Sequence, residues 1–176
     1  MRAGAKSLKR AIMGVKPMHI GTIVAATLLS IAAGSASAAS VTKSIDVNAP
    51  PAKVWAMIGP FCSISAWHPA IGTCTSDGKP EPTRTLVTKD GAATFVELET
   101  ARDDKGMSYS YAIKSSPLPL SNYLSTIKVV PKGDGMSTIT WFSTFTPVSG
   151  KEADADTAVS GIYQSGLDAV KAKAAM

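Results

Sequence analysis

Apolar and polar residues alternate along much of the chain after residue 40, with short turn sequences between the alternating runs. A period of two is typical of β-strands that bury one face. The turns, such as Lys89-Asp90-Gly91, are short enough to join antiparallel neighbours, which indicates a meander. The runs predict seven strands, at residues 41–47, 71–76, 83–88, 93–102, 107–114, 122–130 and 136–145.

Two short helices are expected directly after the first strand. The Pro50-Pro51 pair can open a helix over residues 52–58, because proline is tolerated in the first turn. Gly59-Pro60 ends that helix, and residues 61–67 predict a second one that stops before Pro69.

The last segment has a helical period instead. Between residues 151 and 172 apolar residues recur at spacings of three and four, which predicts one long amphipathic helix. Ser149 and Glu152 have the spacing of a capping box at its start. One such helix can cover a seven-stranded sheet, and Gly161 and Gly166 would reduce its bulk and leave space beneath it.

The beginning of the chain has the three parts of a secretory signal peptide. Residues 2–16 are basic, residues 20–33 are apolar, and Ala36-Ser37-Ala38 predicts cleavage before Ala39. The alternative is a permanent membrane anchor, but about 14 apolar residues are too few for a bilayer core, which needs ~20. We therefore expect residues 1–38 to be removed and one domain, residues 39–176, to work in the periplasm or outside the cell.

The net charge of +5 belongs to that leader. The chain has 18 lysines and arginines against 13 acidic residues. Five of the basic residues and none of the acidic ones lie in residues 1–38, so 13 of each sign remain. A neutral domain gives no reason to expect a nucleic-acid partner.

Two cysteines and one histidine limit the chemistry that follows the leader. Cys62 and Cys74 would reach an oxidising compartment, which favours a disulfide, with two unpaired core residues as the alternative. His68 is the only histidine after the leader, so a zinc or iron site and a catalytic triad are not expected. No catalytic residue, metal or cofactor is assigned.

Strand alternation selects candidates for an internal face. Tyr109, Tyr111 and Ile113 share one face of their strand and should turn inward, where they and Trp141 would either line a cavity or fill the core. On the preceding strand, alternation alone would turn Val96 and Leu98 inward and leave the glutamates solvated. Arg84 and Arg102 are expected to be solvated charges.

Five motifs follow one another along the domain: Ala49-Pro50-Pro51-Ala52-Lys53-Val54-Trp55, Trp67-His68-Pro69, Ser116-Pro117-Leu118-Pro119-Leu120-Ser121-Asn122-Tyr123, Pro131-Lys132-Gly133-Asp134-Gly135 and Thr140-Trp141. In this order and spacing they resemble the SRPBCC superfamily of START and Bet v 1-like proteins. This superfamily includes polyketide cyclase/dehydrase-like, lipid-transport and exported MxaD-like members. The resemblance implies an α+β helix-grip fold, in which a seven-stranded curved antiparallel sheet surrounds a long C-terminal helix and two short helices follow the first strand.

The same resemblance implies ligand-binding positions. Glu97 matches a pocket glutamate, so it would turn inward, contrary to the alternation. His68 falls near the position of a pocket lysine, and the loop around Leu118 would border the cavity entrance. Tyr111 matches an aromatic pocket residue, and Tyr123 and Ser125 match a pocket Asn-Tyr-x-Ser motif. On the long helix, Ala158, Ile162 and Gly166 match cavity-facing positions.

These features predict a protein that binds or transports a small hydrophobic ligand in an internal cavity. One alternative is a polyketide cyclase/dehydrase-like enzyme, for which His68, the carboxylates such as Glu97 and the tyrosines are the candidate acid and base groups. Another is an MxaD-like accessory to a periplasmic dehydrogenase, which would show an exposed apolar patch and a cavity filled by side chains.

Overall fold

The computed structural model describes residues 37–175, and the predicted signal peptide therefore lies almost entirely outside the described residues. Within them, seven strands and three helices follow one another in the predicted order. No helix in this part of the chain is long and apolar enough to cross a membrane. The elements are β1 (Ala39–Val47), α1 (Pro51–Ile58), α2 (Ile64–Trp67), β2 (Ile71–Ser76), β3 (Thr83–Thr88), β4 (Thr94–Asp103), β5 (Ser108–Ser115), β6 (Leu120–Gly133), β7 (Met136–Pro147) and α3 (Glu152–Ala174).

The seven strands form one curved antiparallel sheet in the order β1-β7-β6-β5-β4-β3-β2. Strands β2 to β7 are a meander, as the short turns predicted, and β1 returns to pair with β7. Helix α3 packs across the concave side, mainly against β1. The predicted α+β helix-grip fold is confirmed, and the space between α3 and the sheet is the place where a site can form.

Strand β6 is longer than its alternation predicts, because a bulge interrupts the pattern. One extra residue lies between Ser121 and Leu124 relative to the paired strand β7. Asn122, within the bulge, has a φ of 51°, which asparagine tolerates better than most residues. The extra residue shifts the period by one, so the pattern indicated a strand only from residue 122 onward.

Helix α3 follows its apolar period but not its expected cap. Its buried face repeats every three or four residues, with acidic residues in the first turn and lysines in the last, which suits the helix dipole. The predicted capping box is wrong, since the helix begins only after Lys151 and no side chain caps it. Glu152 instead accepts a hydrogen bond from the Gly150 N–H at 3.1 Å.

Neither glycine of α3 leaves open space beneath the helix. Gly161 is exposed and points away from the sheet. Gly166 is buried, and a Cβ there would lie 2.7 Å from His68, 2.9 Å from Trp141 and 3.1 Å from Trp67. The missing side chain lets α3 approach these three rings closely, so Gly166 permits tight packing and does not enlarge a cavity.

Alanine substitutions at these two glycines are expected to change stability in opposite directions. Gly161→Ala should raise the free energy of unfolding by up to about 1 kcal/mol, because alanine is the better helix former and nothing lies near its Cβ. Gly166→Ala should lower it by about 1 kcal/mol or more, since overpacking a buried site exceeds that gain. Urea unfolding of both variants measures the difference, and two shifts of the same sign would contradict the packing described for Gly166.

Candidate functional site

A cavity of about 90 Å³ lies between α3 and the concave face of the sheet. Its wall is largely apolar and aromatic and draws residues from α2, from strands β2 to β7 and from α3. The polar groups in the wall are few, which is the usual composition of a site for a small hydrophobic molecule. The lining residues are Ile64, His68, Ala70, Ile71, Leu86, Thr88, Phe95, Glu97, Tyr111, Ile113, Leu118, Tyr123, Trp141, Val159, Ile162 and Tyr163.

Eight of the twelve expected ligand-binding residues lie in this wall: His68, Glu97, Tyr111, Ile113, Leu118, Tyr123, Trp141 and Ile162. The other four lie elsewhere. Tyr109 packs against Trp55 and Phe61 beyond the cavity. Ser125 is buried directly behind the wall, Gly166 packs on His68, and Ala158 is a half-buried residue of α3 outside the lining.

The sequence reading missed the other half of the wall. Val159 and Tyr163 lie one turn apart on α3, on either side of Ile162, and the helical period could have found them. Leu86 and Thr88 share an inward face of β3 with Arg84, and Phe95 shares one with Glu97, so alternation could have found those too. Ile64, Ala70 and Ile71 come from α2 and the start of β2, where no short pattern fixes which side faces inward.

Strand β4 turns its glutamates inward, as the resemblance implied and the alternation did not. Glu97 and Glu99 are 5% and 7% exposed. Val96 and Leu98 lie on the opposite, convex face and are half-buried. The expectation from alternation fails because it counts every carboxylate as a solvated group, whereas these two have arginine partners.

Arg84 is the partner of Glu97, and its expected solvation is wrong. Its side chain is fully buried, and its Nε donates to Glu97 Oε2 at 2.7 Å while Nη1 donates to the Phe61 carbonyl. The guanidinium also stacks 3.9 Å from the centre of the Phe61 ring. Burial alone would lower the pKa of Arg84, but the charge of Glu97 raises it above its usual value, so the guanidinium stays charged.

Arg102 is also more constrained than a solvated charge. Its side chain is 28% exposed and bonds to Glu99 at 2.8 Å, to Asp104 at 2.8 Å and to the Gly59 carbonyl at 2.7 Å. Arg84 and Arg102 thus both attach the segment after α1 to the sheet through its backbone carbonyls. Each inward carboxylate of β4 is paired with an arginine, and this pairing offsets the free-energy cost of burying its charge.

His68 is buried with both ring nitrogens engaged by backbone groups. Nδ1 accepts a hydrogen bond from the Ala70 N–H at 3.2 Å, so the proton is on Nε2, which donates to the Ile162 carbonyl at 3.0 Å. Burial lowers the pKa of His68 below its ordinary 6.5, and the nearby Arg84 and Lys89 add to the shift. The neutral ring joins α2 to α3 and has no free nitrogen for acid or base work.

Stability should therefore fall as the pH drops below about 6.5. Because the pKa of His68 is lower in the folded chain than in the unfolded chain, the unfolded chain binds a proton at a higher pH. The free energy of unfolding therefore decreases as the pH falls from about 6.5 to the folded-state pKa of His68. Thermal unfolding between pH 5 and pH 7.5 measures this loss. His68→Gln removes the titrating group, so a pH dependence that is as steep in that variant as in the wild type would contradict the assignment.

Three tyrosines and a tryptophan of the cavity wall form one buried hydrogen-bond network with Ser125, which lies directly behind the wall. Tyr111 and Tyr123 are 3.4 Å apart at their hydroxyls, and Tyr123 also bonds to Tyr163. Ser125 Oγ contacts the Tyr163 hydroxyl at 2.7 Å and Trp141 Nε1 at 3.1 Å. Burial raises the pKa of Tyr111 and Tyr163 well above its usual value, so these hydroxyls keep their protons at neutral pH.

A disulfide holds the α2 side of the cavity. Cys62 and Cys74 are bonded, with their Cα atoms 5.4 Å apart and a separation of 12 positions in the sequence. The bond ties the residue two positions before α2 to strand β2. Ile64, His68 and Ile71 of the wall lie within or next to the closed loop, so the disulfide stabilises the position of that wall.

A second, more polar depression of about 340 Å³ adjoins the cavity. It lies at the end of β5 and the start of β6, and it shares Ile113 and Tyr123 with the cavity wall. The shared residues make the two spaces neighbours, with Ile113 and Tyr123 between them. Its remaining lining residues are Lys114, Ser115, Ser116, Leu120, Ser121 and Asn122.

Comparison with protein families gives one clear result. Residues 38–175 match the model of the family described as polyketide cyclase / dehydrase and lipid transport. That range contains every described strand and helix and all of the cavity wall. No curated protein matches the chain significantly.

Solved structures agree on the fold. XoxI from Bacillus cereus is 34% identical, with a TM-score of 0.72 over 77% of this chain and 94% of its own. An uncharacterized protein from Bacillus thuringiensis is 34% identical, with a TM-score of 0.74 over 78% of this chain and 100% of its own. The ZhuI aromatase/cyclase from Streptomyces sp. R1128 is 14% identical, with a TM-score of 0.64 over 79% of this chain and 94% of its own, and shows the fold alone.

Proposed function

The chain belongs to the polyketide cyclase/dehydrase and lipid transport family, and we propose that it binds or transports a small hydrophobic ligand in the cavity between α3 and the sheet. The observation that carries this proposal is that the cavity is lined by apolar and aromatic side chains and is not filled by them. A packed core rarely leaves a space this large without a use, since interiors are normally close-packed.

The driving force would be burial of the ligand's apolar body. Each 100 Å² of apolar surface removed from water contributes about 2.5 kcal/mol. A cavity of about 90 Å³ is smaller than the roughly 300 Å³ at which sites for drug-sized molecules begin. The ligand is therefore either a molecule of a few heavy atoms or a longer one whose remainder extends past Ile113 and Tyr123 into the adjoining depression.

The enzymatic alternative finds less support in this site. A cyclase or dehydrase needs a free acid or base group beside its substrate. Both nitrogens of His68 are bonded to backbone groups, and the carboxylate of Glu97 is paired with Arg84. The tyrosines of the wall, Tyr111, Tyr123 and Tyr163, are bonded to one another, and burial raises the pKa of each hydroxyl. Binding without turnover therefore accounts better for the geometry.

The accessory alternative finds mixed support. Leu124, Phe142 and Val148 are large apolar residues that are more than two-fifths exposed, as a partner-binding protein would require. That reading also predicted a cavity filled by side chains, and the cavity is open. We therefore favour a ligand carrier over an MxaD-like accessory protein.

Filling the cavity tests the proposal directly. Cyclopentane, titrated into the purified protein and followed by NMR, should shift resonances of the cavity wall. Val159→Phe places a ring in the cavity and should abolish those shifts, whereas Thr157→Phe adds the same ring to an exposed position of α3 and should leave them intact. Shifts that are equal in the two variants, or missing from the wild type, would contradict binding in this cavity.

We also propose that the protein works in the periplasm or outside the cell after cleavage before Ala39. Two observations support this location: β1 begins at Ala39, and the Cys62–Cys74 disulfide is of the kind that persists in oxidising compartments. N-terminal sequencing of the exported protein should begin at Ala39. A protein that retains Met1 in the cytosolic fraction would refute the export proposal.

A further inference from the structure

The hydrogen bond from Ser125 to the Phe142 carbonyl sets the direction of the buried network. The Phe142 carbonyl can only accept, so the single proton of Ser125 is donated to it at 2.9 Å. The Tyr163 hydroxyl must then donate to Ser125 Oγ, because Ser125 has no second proton. Because the single proton of Tyr163 is donated to Ser125, Tyr163 can only accept from Tyr123. The proton of Tyr123 is therefore donated to the Tyr163 oxygen.

Tyr111 is the free end of this directed chain. Its oxygen shares the single N–H of Trp141 with Ser125 Oγ, each at 3.1 Å. Among residues 37–175, the one acceptor within reach of its own proton is Tyr123, at 3.4 Å. That separation is well beyond the usual 2.7–2.8 Å of a hydroxyl–hydroxyl bond. The O–H of Tyr111 is therefore the most weakly satisfied donor of the network, in a residue that lines the cavity.

The charge in the wall limits which acceptor can meet this donor. Glu97 lines the cavity, while its counterion Arg84 lies behind it and outside the lining. An anionic ligand would thus meet the carboxylate first, with the guanidinium on the far side. The Tyr111 hydroxyl favours an acceptor oxygen, and Glu97 disfavours an acceptor that carries negative charge.

We propose that the ligand is a neutral carbonyl compound whose oxygen accepts a hydrogen bond from Tyr111, an inference that rests on the proposed binding function. On binding, Tyr111 exchanges its long contact with Tyr123 for a bond of ordinary length. The chain behind it needs no rearrangement, because Tyr123 keeps its own donation to Tyr163. Tyr111, more than Tyr123, then selects the ligand.

The test compares two molecules of the same shape. Butan-2-one and 2-methylbut-1-ene have five heavy atoms each and differ in a carbonyl oxygen against a methylene group. Their affinities for the purified protein, and for its Tyr111→Phe variant, are measured by NMR titration. The ketone-to-alkene affinity ratio should fall about tenfold in the variant, the amount expected for one hydrogen bond to a buried donor. Because the same two probes are compared in both proteins, the difference in their hydration free energies cancels from the change in this ratio.

Controls separate this inference from the function on which it rests. Tyr109→Phe removes a hydroxyl on the same strand but outside the cavity and should leave the ratio unchanged. A ratio that Tyr111→Phe does not alter, or butyrate binding more tightly than butan-2-one, would overturn the inference while cavity binding stands. If neither neutral probe binds the wild type, both the inference and the proposed function fail.

A measurement on the wild type alone guards against a variant that does not fold. The carbonyl carbon of 13C-labelled butan-2-one moves downfield when its oxygen accepts a hydrogen bond. In the protein it should resonate downfield of its position in cyclohexane. A bound resonance at the cyclohexane position would show that no donor reaches the ligand and would refute the role of Tyr111.

Discussion

Arg84→Leu is expected to lower the free energy of unfolding by about 3 to 5 kcal/mol, the cost of removing one partner from a buried ion pair. The substitution would leave the Glu97 carboxylate charged without a counterion, and it would deprive the Phe61 carbonyl of its donor. Both residues are buried, so water does not replace the lost partner. Equilibrium unfolding in urea measures the loss as a decrease in the midpoint concentration.

Two further variants identify the cause of that loss. Arg84→Leu combined with Glu97→Leu removes both charges, so much of the stability should return, since an apolar pair of similar volume often replaces a buried ion pair without penalty. Lys151→Ala breaks an exposed ion pair with Asp154 and should cost less than about 1 kcal/mol. A loss in Arg84→Leu as small as that in Lys151→Ala would show that Arg84 is not buried with Glu97.

Replacing Cys62 and Cys74 together by alanine is expected to cost about 3 kcal/mol of unfolding free energy. The disulfide closes a loop across 12 positions, and the chain-entropy model gives that value for a loop of this length. The loss should be accompanied by weaker ligand binding, because the loop carries α2 and with it Ile64 and His68 of the cavity wall. Urea unfolding and the cyclopentane titration measure the two effects.

A chemical control is available for the disulfide. A reductant should lower the stability of the wild type to that of the double alanine variant and should leave the variant itself unchanged. If the reductant has no effect on the wild type under conditions that reduce the bond, the disulfide does not stabilise the fold.

Much of the fold could be predicted from local pattern. Strands β2 and β3 have the predicted bounds, because each is short and bordered by turn residues. The long helix was predicted for the same kind of reason, since its apolar residues repeat with the helical period. Its expected cap was wrong, because whether Ser149 caps depends on where the helix starts, and that depends on the turn at Gly150.

The buried ion pair was missed because alternation treats charge as a sign of exposure. Arg84 and Glu97 lie directly opposite each other in the register of β3 and β4. The turn at Lys89-Asp90-Gly91 sets that register, and Leu86 opposite Phe95 marks the same inward face. Reading the two strands as a hairpin, instead of one at a time, would have shown opposite charges facing each other on the apolar side.

The cavity itself lies beyond any local pattern. His68 bonds to Ile162, 94 residues away in the sequence. Three aromatic rings from other elements meet at Gly166, where a side chain would not fit. Such contacts exist only once α2, the sheet and α3 are assembled. The family resemblance supplied part of what pattern could not, since it pointed to Glu97, Tyr123 and Ile162 in the wall before the geometry was known.

Native mass spectrometry of the protein purified from its own cells tests the central claim, that the cavity holds a small hydrophobic ligand. We predict a species heavier than the chain by one small molecule, with the added mass lost on denaturation and absent from Val159→Phe. A bare chain mass for the wild type, both as purified and after incubation with a lipid extract of the same cells, would contradict the claim.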